Sequence, residues 1–204
     1  MPSTLSRRVA IVVAAFLAAV ILTACSTDSD DAMTSIGSQS QETTSMSGEM
    51  APESGREDDV MFAQMMIPHH EQAVEMADMA LDPDASSSVE VRELAVGIKA
   101  AQDPEIETMR AWLDVWGAPQ EPSVGMGHDS GMMSQGDMGA LASAEGAEFD
   151  QMWLTMMIEH HEGAITMARD VQSTTEDEEV AALAAEIIAA QEAEIATMQA
   201  LLEP

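Results

Sequence analysis

The chain has 204 residues, of which 37 are Asp or Glu and 7 are Lys or Arg, so its formal net charge is −30. This balance excludes a nucleic-acid partner, because phosphate binding needs Lys and Arg side chains in a patch. A single Cys excludes a zinc site built from clustered cysteines. The length suits one domain, or one duplicated domain with tails.

The first 24 residues are typical of a secretory signal peptide. Arg7 and Arg8 precede an apolar run over residues 9–22, which is shorter than the roughly 20 residues of a transmembrane helix. The run leads into Leu-Thr-Ala-Cys, ending at Cys25, which resembles the bacterial lipobox. We therefore expect residues 1–24 to be removed and lipidated Cys25 to anchor the protein to the cell membrane, facing outside the cytoplasm. An ordinary signal peptide with an incidental Cys is the alternative.

Composition divides the rest of the chain into four segments. Residues 25–53 are rich in Ser, Thr, Asp and Gln, which is typical of a disordered tether. Residues 54–117 predict a first helical hairpin and residues 143–204 a second one. Residues 118–142, rich in Met and Gly, predict a linker between them.

The two hairpins are copies of one another. Residues 59–77 align without gaps on residues 150–168, and both segments contain Met-Met-Ile-x-His-His-Glu. In each copy apolar residues recur at steps of three and four, which predicts amphipathic helices, and strand signals are nearly absent. Because an αα-hairpin cannot bury its apolar face alone, the sequence predicts an all-α fold, a duplicated αα-hairpin that forms a four-helix bundle.

Local signals predict where these helices begin and end. Residues 54–57, 87–90 and 175–178 have the spacing of a capping box, with a side-chain acceptor three residues before Glu. Gly117, followed closely by a Pro, predicts the end of the second helix.

The Met and His residues predict a metal site. Residues three and four apart are neighbours on a helix, so each His pair lies beside methionines. Thioether sulfur selects Cu(I) and imidazole accepts copper, whereas carboxylate sites suit Mg, Ca or Mn. The pattern predicts Cu(I), with Ag(I) as its mimic, in one shared site or in one site per half. The candidate ligands are Met65, Met66, His69, His70 and Met76, and in the second copy Met156, Met157, His160, His161 and Met167.

A structural role for the same residues is the alternative. Met adapts to irregular gaps, so a Met stripe at helical spacing also suits an apolar core, and a buried His can be structural. The His pair is nevertheless kept in both copies although its neighbours differ, as at Pro68 and Glu159, which favours metal binding. The linker supplies weaker candidate ligands and is otherwise a flexible connector; these are Met126, His128, Met132, Met133 and Met138.

The motif Met-Met-Ile-x-His-His-Glu-x-Ala-x-x-Met-Ala, present twice in an exported Met-rich chain, resembles the domain-of-unknown-function family numbered 305. The resemblance covers roughly residues 58–202. It implies a ferritin-like four-helix bundle. Because the family includes a periplasmic copper-binding member, it also implies copper binding or copper tolerance through Met and His at the ten positions named above.

Three function classes follow from these observations. The first is a cell-envelope lipoprotein that binds Cu(I) for copper buffering or tolerance. The alternative is a non-metal interaction module whose Met-rich groove binds another envelope protein or a second copy of the chain. A di-metal oxidase is disfavoured, because its Glu-x-x-His motif is missing at all four paired His residues. We therefore expect no enzymatic activity.

Overall fold

The computed structural model describes residues 53–121 and 131–203, and every long element in them is an α-helix. The signal peptide and Cys25 lie outside the described residues, as do Met126 and His128 of the linker. None of the helices in the described part is long and apolar enough to cross a membrane. The helices are α1 (Glu53–Leu81), α2 (Val89–Trp116), α3 (Gln135–Leu141), α4 (Gly146–Gln172) and α5 (Glu178–Leu202), with a 3-10 turn at Pro83–Ala85.

The four long helices form two hairpins that meet through α1 and α4. Helix α1 packs along α2, α4 packs along α5, and α1 packs against α4. Near the start of α4, Trp153 donates its Nε1–H to the backbone carbonyl of Met76, near the end of α1, at 2.8 Å. Phe62 near the start of α1 shares a core cluster with Val171 near the end of α4. The two central helices are therefore antiparallel, and the predicted all-α bundle of a duplicated αα-hairpin is confirmed.

The hydrophobic core consists of two clusters, and each contains residues from all four long helices. The first core cluster takes the second half of α1 and the first half of α4, and it includes Trp153 and Met198. The second core cluster takes the first half of α1 and the second half of α4, and it includes Phe62 and Met109. Because Met109 and Met198 are equivalent in the two copies, the duplication appears in the core as a pseudo-two-fold axis.

Two of the predicted helix starts are wrong by one or two residues. Ser88, not Ser87, caps α2 and accepts the backbone N–H of Val91 on its side chain at 3.3 Å. Asp177, not Thr175, caps α5, because its carboxylate accepts two backbone N–H groups in the first turn. Helix α1 begins one residue before the predicted capping box at residues 54–57.

The predicted end of α2 is confirmed. Helix α2 stops at Trp116, and Gly117 follows in the left-handed conformation, with φ of 67°. This conformation favours glycine, which has no Cβ to clash with the carbonyl, and the Gly117 N–H bonds back to the carbonyl of Asp114.

The second half of the predicted linker, residues 118–142, carries structure of its own. Ser134 and Asp137 form a capping box that starts α3. Just before it, Met133 bonds the side chain of Gln72 on α1 twice: its N–H donates to Oε1 at 2.7 Å, and its carbonyl accepts from Nε2 at 2.9 Å. The end of this segment is therefore attached to the bundle.

Candidate metal centre

The four paired histidines lie at the centre of the bundle. His69 and His70 on α1 and His160 and His161 on α4 are each at most 1% exposed. The ring centroids of His69 and His160 are 3.7 Å apart, and that of His161 is 6.5 Å from His160. Because His69 and His160 are equivalent in the two copies, the pseudo-two-fold axis passes between them. The first His of each pair thus meets its own counterpart.

The second His of each pair is held by a carboxylate from the neighbouring helix. His70 donates its Nε2–H to Oε2 of Glu105 on α2 at 2.8 Å, and His161 donates its Nε2–H to Oε2 of Glu194 on α5 at 2.7 Å. A carboxylate only accepts, so the proton lies on Nε2 in both rings. Nδ1 of each ring is buried and has no hydrogen-bond partner among the described residues. This orientation by a carboxylate is typical of histidines that ligate a metal.

Two glutamines complete a buried polar layer between the two core clusters. Gln102 on α2 is 2% exposed and Gln191 on α5 is 3% exposed, and Oε1 of each has no hydrogen-bond partner among the described residues. Leaving a buried polar group unsatisfied costs about 1–3 kcal/mol. A core selected only for stability would avoid this cost at several neighbouring positions. The polar layer consists of His69, His70, Gln102, His160, His161 and Gln191.

The surroundings of His160 keep its ring neutral. Burial is the largest cause that lowers its pKa well below the usual 6.5, and the neighbouring His69, His161 and His70 lower the pKa further. Because only a neutral imidazole offers a lone pair to a metal, His160 can act as a ligand at neutral pH.

The ten candidate ligands separate into two groups. Four methionines are buried with the histidines: Met66 belongs to the second core cluster, and Met76, Met156 and Met157 belong to the first. The other two, Met65 and Met167, are only half-buried and line a groove at the surface. The structure therefore places eight of the ten candidates in the bundle interior and two half-buried at the surface groove, of which Met167 also packs against the second core cluster.

The linker candidates that the structure describes lie against the core. Met138 on α3 is buried in the first core cluster, Met133 packs against this cluster, and Met132 is half-buried. Met138 therefore supports packing between α3 and α4 in this structure.

Sequence reasoning missed the two carboxylates and the two glutamines of the centre. Glu105 and Glu194, like Gln102 and Gln191, occupy equivalent positions in the duplication. These four polar residues are retained in both copies of an amphipathic helix. The same retention singled out the His pairs, so it could have identified these residues as part of the site as well.

The donors of the centre are those of a soft metal ion. Neutral imidazole nitrogens and thioether sulfurs are present in the bundle interior, and the carboxylates of Glu105 and Glu194 bond imidazoles. Within residues 53–121 and 131–203, no three side chains drawn from His, Cys, Asp and Glu form a metal-binding group. A metal bound here would therefore need thioether sulfur among its ligands.

Comparison with known proteins identifies relatives of the same architecture. A DUF305 protein from Streptomyces coelicolor is 32% identical, covers 71% of this chain and 91% of its own, and superposes with a TM-score of 0.65. A DUF305 fragment from Deinococcus radiodurans is also 32% identical, with coverage of 71% and 95% and a TM-score of 0.65. No protein of curated function matches the chain.

A third relative, CopM, has been solved with metal. CopM with Cu(I) bound is 34% identical, covers 70% of this chain and 94% of its own, and has a TM-score of 0.59. CopM has also been solved with Cu(II), with silver and in the apo form. Residues 59–202 of this chain match the family described as Domain of unknown function (DUF305). The chain belongs to the DUF305 family.

Proposed function

We propose that this protein binds Cu(I) in the polar layer and its adjoining methionines, and that it buffers copper or confers copper tolerance in the cell envelope. The observation that carries the proposal is the carboxylate–histidine pair, which is repeated in both halves and leaves the buried Nδ1 of His70 and His161 unbonded. The similarity to CopM, which has been solved with Cu(I) and with silver, supports the same choice of ion.

The residues present fit a soft monovalent ion as cargo. The candidate nitrogen donors are His70, His160 and His161, one or two to an ion, since no three such side chains form a metal-binding group in the described residues. The sulfur donors nearest in sequence are Met66 and Met157. Thioethers favour Cu(I) and Ag(I) over harder divalent ions such as Zn(II) or Fe(II). The bundle excludes water from these side chains, and Glu105 and Glu194 hold two of the rings in one orientation.

A direct titration tests this site. We expect the wild-type protein to bind Ag(I) and Cu(I) tightly, measured by competition with a chromogenic chelator. Replacing the four paired histidines with Gln should weaken the tight binding by at least 100-fold while circular dichroism still shows a helical protein. The matched control is Thr155→Gln, an exposed position on the helix α4 that carries two of these histidines, and it should bind as wild type.

Two outcomes decide the proposal. Wild-type affinity in a folded quadruple variant would make the histidines structural and overturn the assignment. Should the quadruple variant not fold, the double variant His70→Gln with His161→Gln replaces it. That pair keeps the contact between His69 and His160 and removes only the two carboxylate-bonded rings.

The location belongs to the same proposal. The basic start, the apolar run and the lipobox-like sequence at Cys25 support export and lipid attachment, and the Streptomyces coelicolor relative is described as secreted. We expect the wild-type protein to partition with membranes and Cys25→Ala to release it into the soluble fraction. A wild-type protein that is wholly soluble and unaffected by Cys25→Ala would contradict the anchor.

The second candidate function is a non-metal interaction module. It is favoured by the surface groove, in which methionine side chains line an opening between α1 and α4. A groove of this kind can accept an apolar side chain of an envelope protein or of a second copy. This function predicts that the histidines can be replaced with no change in partner binding.

A further inference from the structure

Three methionines line one groove on the surface of the bundle. Met61 and Met65 stand one turn apart on α1, and Met167 reaches the same groove from α4. The groove has a volume of about 270 Å³ and a floor that includes the buried Phe62. Met61 is 47% exposed. We call Met61, Met65 and Met167 the surface triad.

The duplication provides an internal comparison for the surface triad. Its equivalents in the other half are Met152, Met156 and Met76. Those three are buried or half-buried in the first core cluster, where α3 packs against α4. Met76 and Met156 are thus core side chains with Met152 packed against them, whereas in the other half Met61 is exposed and only Met167 packs against a core cluster.

The residues at the rim of the groove are also more polar than their equivalents in the other half. Asp58 and Asp170 line the groove beside the surface triad. Their equivalents in the covered half are Phe149, which is 1% exposed, and Met79, which packs against the first core cluster. Both positions therefore carry apolar side chains in the covered half. In the half with the groove, the same two positions carry carboxylates.

We propose that the surface triad is a second metal site, which captures a soft monovalent cation at the surface. Three thioethers from two helices supply soft donors, and Asp58 and Asp170 place negative charge beside them, which raises the local concentration of cations. The site contains none of the histidines of the polar layer. This second site rests on the proposed function only for the identity of the ion, which is Cu(I). Ag(I) is the probe in the experiment below.

The carboxylate rim is the reason to prefer an ion to an apolar peptide as occupant. An apolar segment that covered the groove would bring Asp58 and Asp170 out of water, and burying an unpaired charge is costly. A monovalent cation gains from the same two charges. Half-exposed ligands also permit fast exchange with solvent, which a fully buried centre does not.

The experiment uses the full chain labelled with ¹³C at the methionine ε-methyl groups, titrated with silver nitrate in chloride-free buffer. We expect the methyl signals of Met61, Met65 and Met167, assigned by single Met→Leu variants, to shift together. The signals of Met152 and Met79, which pack against the first core cluster and are not candidate ligands, serve as internal controls and should stay in place as this site fills. The triple Met→Leu variant of the surface triad should lose one equivalent of bound Ag(I).

The same titration in the variant with His69, His70, His160 and His161 replaced by Gln separates this site from the polar layer. Shifts of the surface triad that persist in that variant support the inference, even if the polar layer proves not to bind metal. Shifts that disappear with the histidines would overturn it, because the triad would then only report on the buried centre. Unmoved triad signals in the wild type, with or without binding of an apolar Met/Leu peptide, would also overturn it.

Discussion

At the level of single residues, the two histidines of each pair have different partners. One bonds a carboxylate, and the other lies on the pseudo-two-fold axis. His70 and His161 each have one nitrogen fixed by a glutamate and the other unbonded. His69 and His160 instead face each other, with ring centroids 3.7 Å apart. The carboxylate sets both the tautomer and the ring orientation, so in the proposed metal site Glu105 and Glu194 are positioning residues.

Replacing these glutamates should weaken metal binding without unfolding the protein. We expect Glu105→Gln together with Glu194→Gln to lower the Ag(I) affinity by about 10–100-fold, the usual effect of removing a carboxylate that orients a ligating His. Competition titration measures the affinity, and circular dichroism checks the fold. The control is Glu107→Gln, which changes an exposed carboxylate on the same helix. Equal affinities in the wild type and the double variant would show that the carboxylates have no positioning role.

The buried, neutral His160 should make stability depend on pH. Its pKa in the folded protein is held well below 6.5, whereas an unfolded chain has a His pKa of about 6.5, so below that pH the unfolded state takes up a proton that the folded state does not. The free energy of unfolding should therefore fall as pH drops from 7.5 to 5.5, by up to about 1.4 kcal/mol per pH unit for this group. Urea denaturation of metal-free protein measures the slope.

A matched pair of variants identifies the group that is responsible for this slope. His160→Gln removes the titrating ring and should flatten the pH dependence, although it lowers stability at pH 7.5. Thr155→Gln, an exposed position on the same helix, should leave the slope as it is in the wild type. A His160→Gln protein with an unchanged slope would assign the pH dependence to other groups.

The residue types of the centre could be predicted from the sequence, but their contacts could not. Duplication and helical spacing were sufficient to select the four paired histidines. Which His of each pair meets its counterpart depends on the rotation of α1 against α4, and packing of the whole bundle sets that rotation. The partners Glu105 and Glu194 lie on other helices, more than 30 residues away in sequence. Local periodicity therefore contained no information about these contacts.

At the scale of elements, the segment before α3 approaches the bundle closely. Gly131 has a φ of 76°, and a Cβ built on it would lie 2.7 Å from the backbone oxygen of Glu159 and 3.0 Å from the Cα of Gly163 on α4. Since helix backbone cannot yield, any other residue at position 131 would displace the segment. The double hydrogen bond between Met133 and Gln72 depends on the same approach.

Substitution of Gly131 should detach this segment. We expect Gly131→Ala to lower the free energy of unfolding by about 1–3 kcal/mol, because the Cβ clashes and the φ is strained. Hydrogen exchange of the Met133 amide should accelerate, since its bond to Gln72 is lost. The control is Gly139→Ala within α3, where a Cβ meets nothing within 4 Å and should stabilise the helix slightly. Wild-type exchange at Met133 in Gly131→Ala would contradict the attachment.

The sequence was sufficient to predict the long helices, but it was not sufficient to predict the residue at which each helix begins. Both capping-box patterns before α2 and α5 fell within two residues of the observed start. Adjacent Ser, Thr and Asp residues compete for the capping position, and the choice depends on contacts across the bundle. Ser87, for example, bonds the carbonyl of Ala80 with its hydroxyl. Helix α3 was missed because its seven residues contain two Gly, which lowers helix propensity.

At the scale of the whole molecule, the two halves are related by a pseudo-two-fold axis but are not interchangeable. Both core clusters contain side chains from all four long helices, so neither hairpin encloses a core alone. The polar layer is shared in the same way, because it takes three residues from each half. Segment α3 and the bond from Trp153 to Met76 belong to one side of the axis only, since the residue equivalent to Trp153 is Phe62.

Separated halves should therefore be unable to fold as monomers. We expect residues 53–121 and residues 131–203, expressed apart, to have a helix content that rises with concentration, because each must find a second half to cover its apolar face. Equimolar mixing should give a heterodimer that unfolds at a higher temperature than either fragment alone, since only the mixed pair restores the bond from Trp153 to Met76. Circular dichroism over a range of concentrations and the measured molar mass test this. Cooperative, concentration-independent unfolding of either fragment as a monomer would show that one hairpin is a sufficient folding unit.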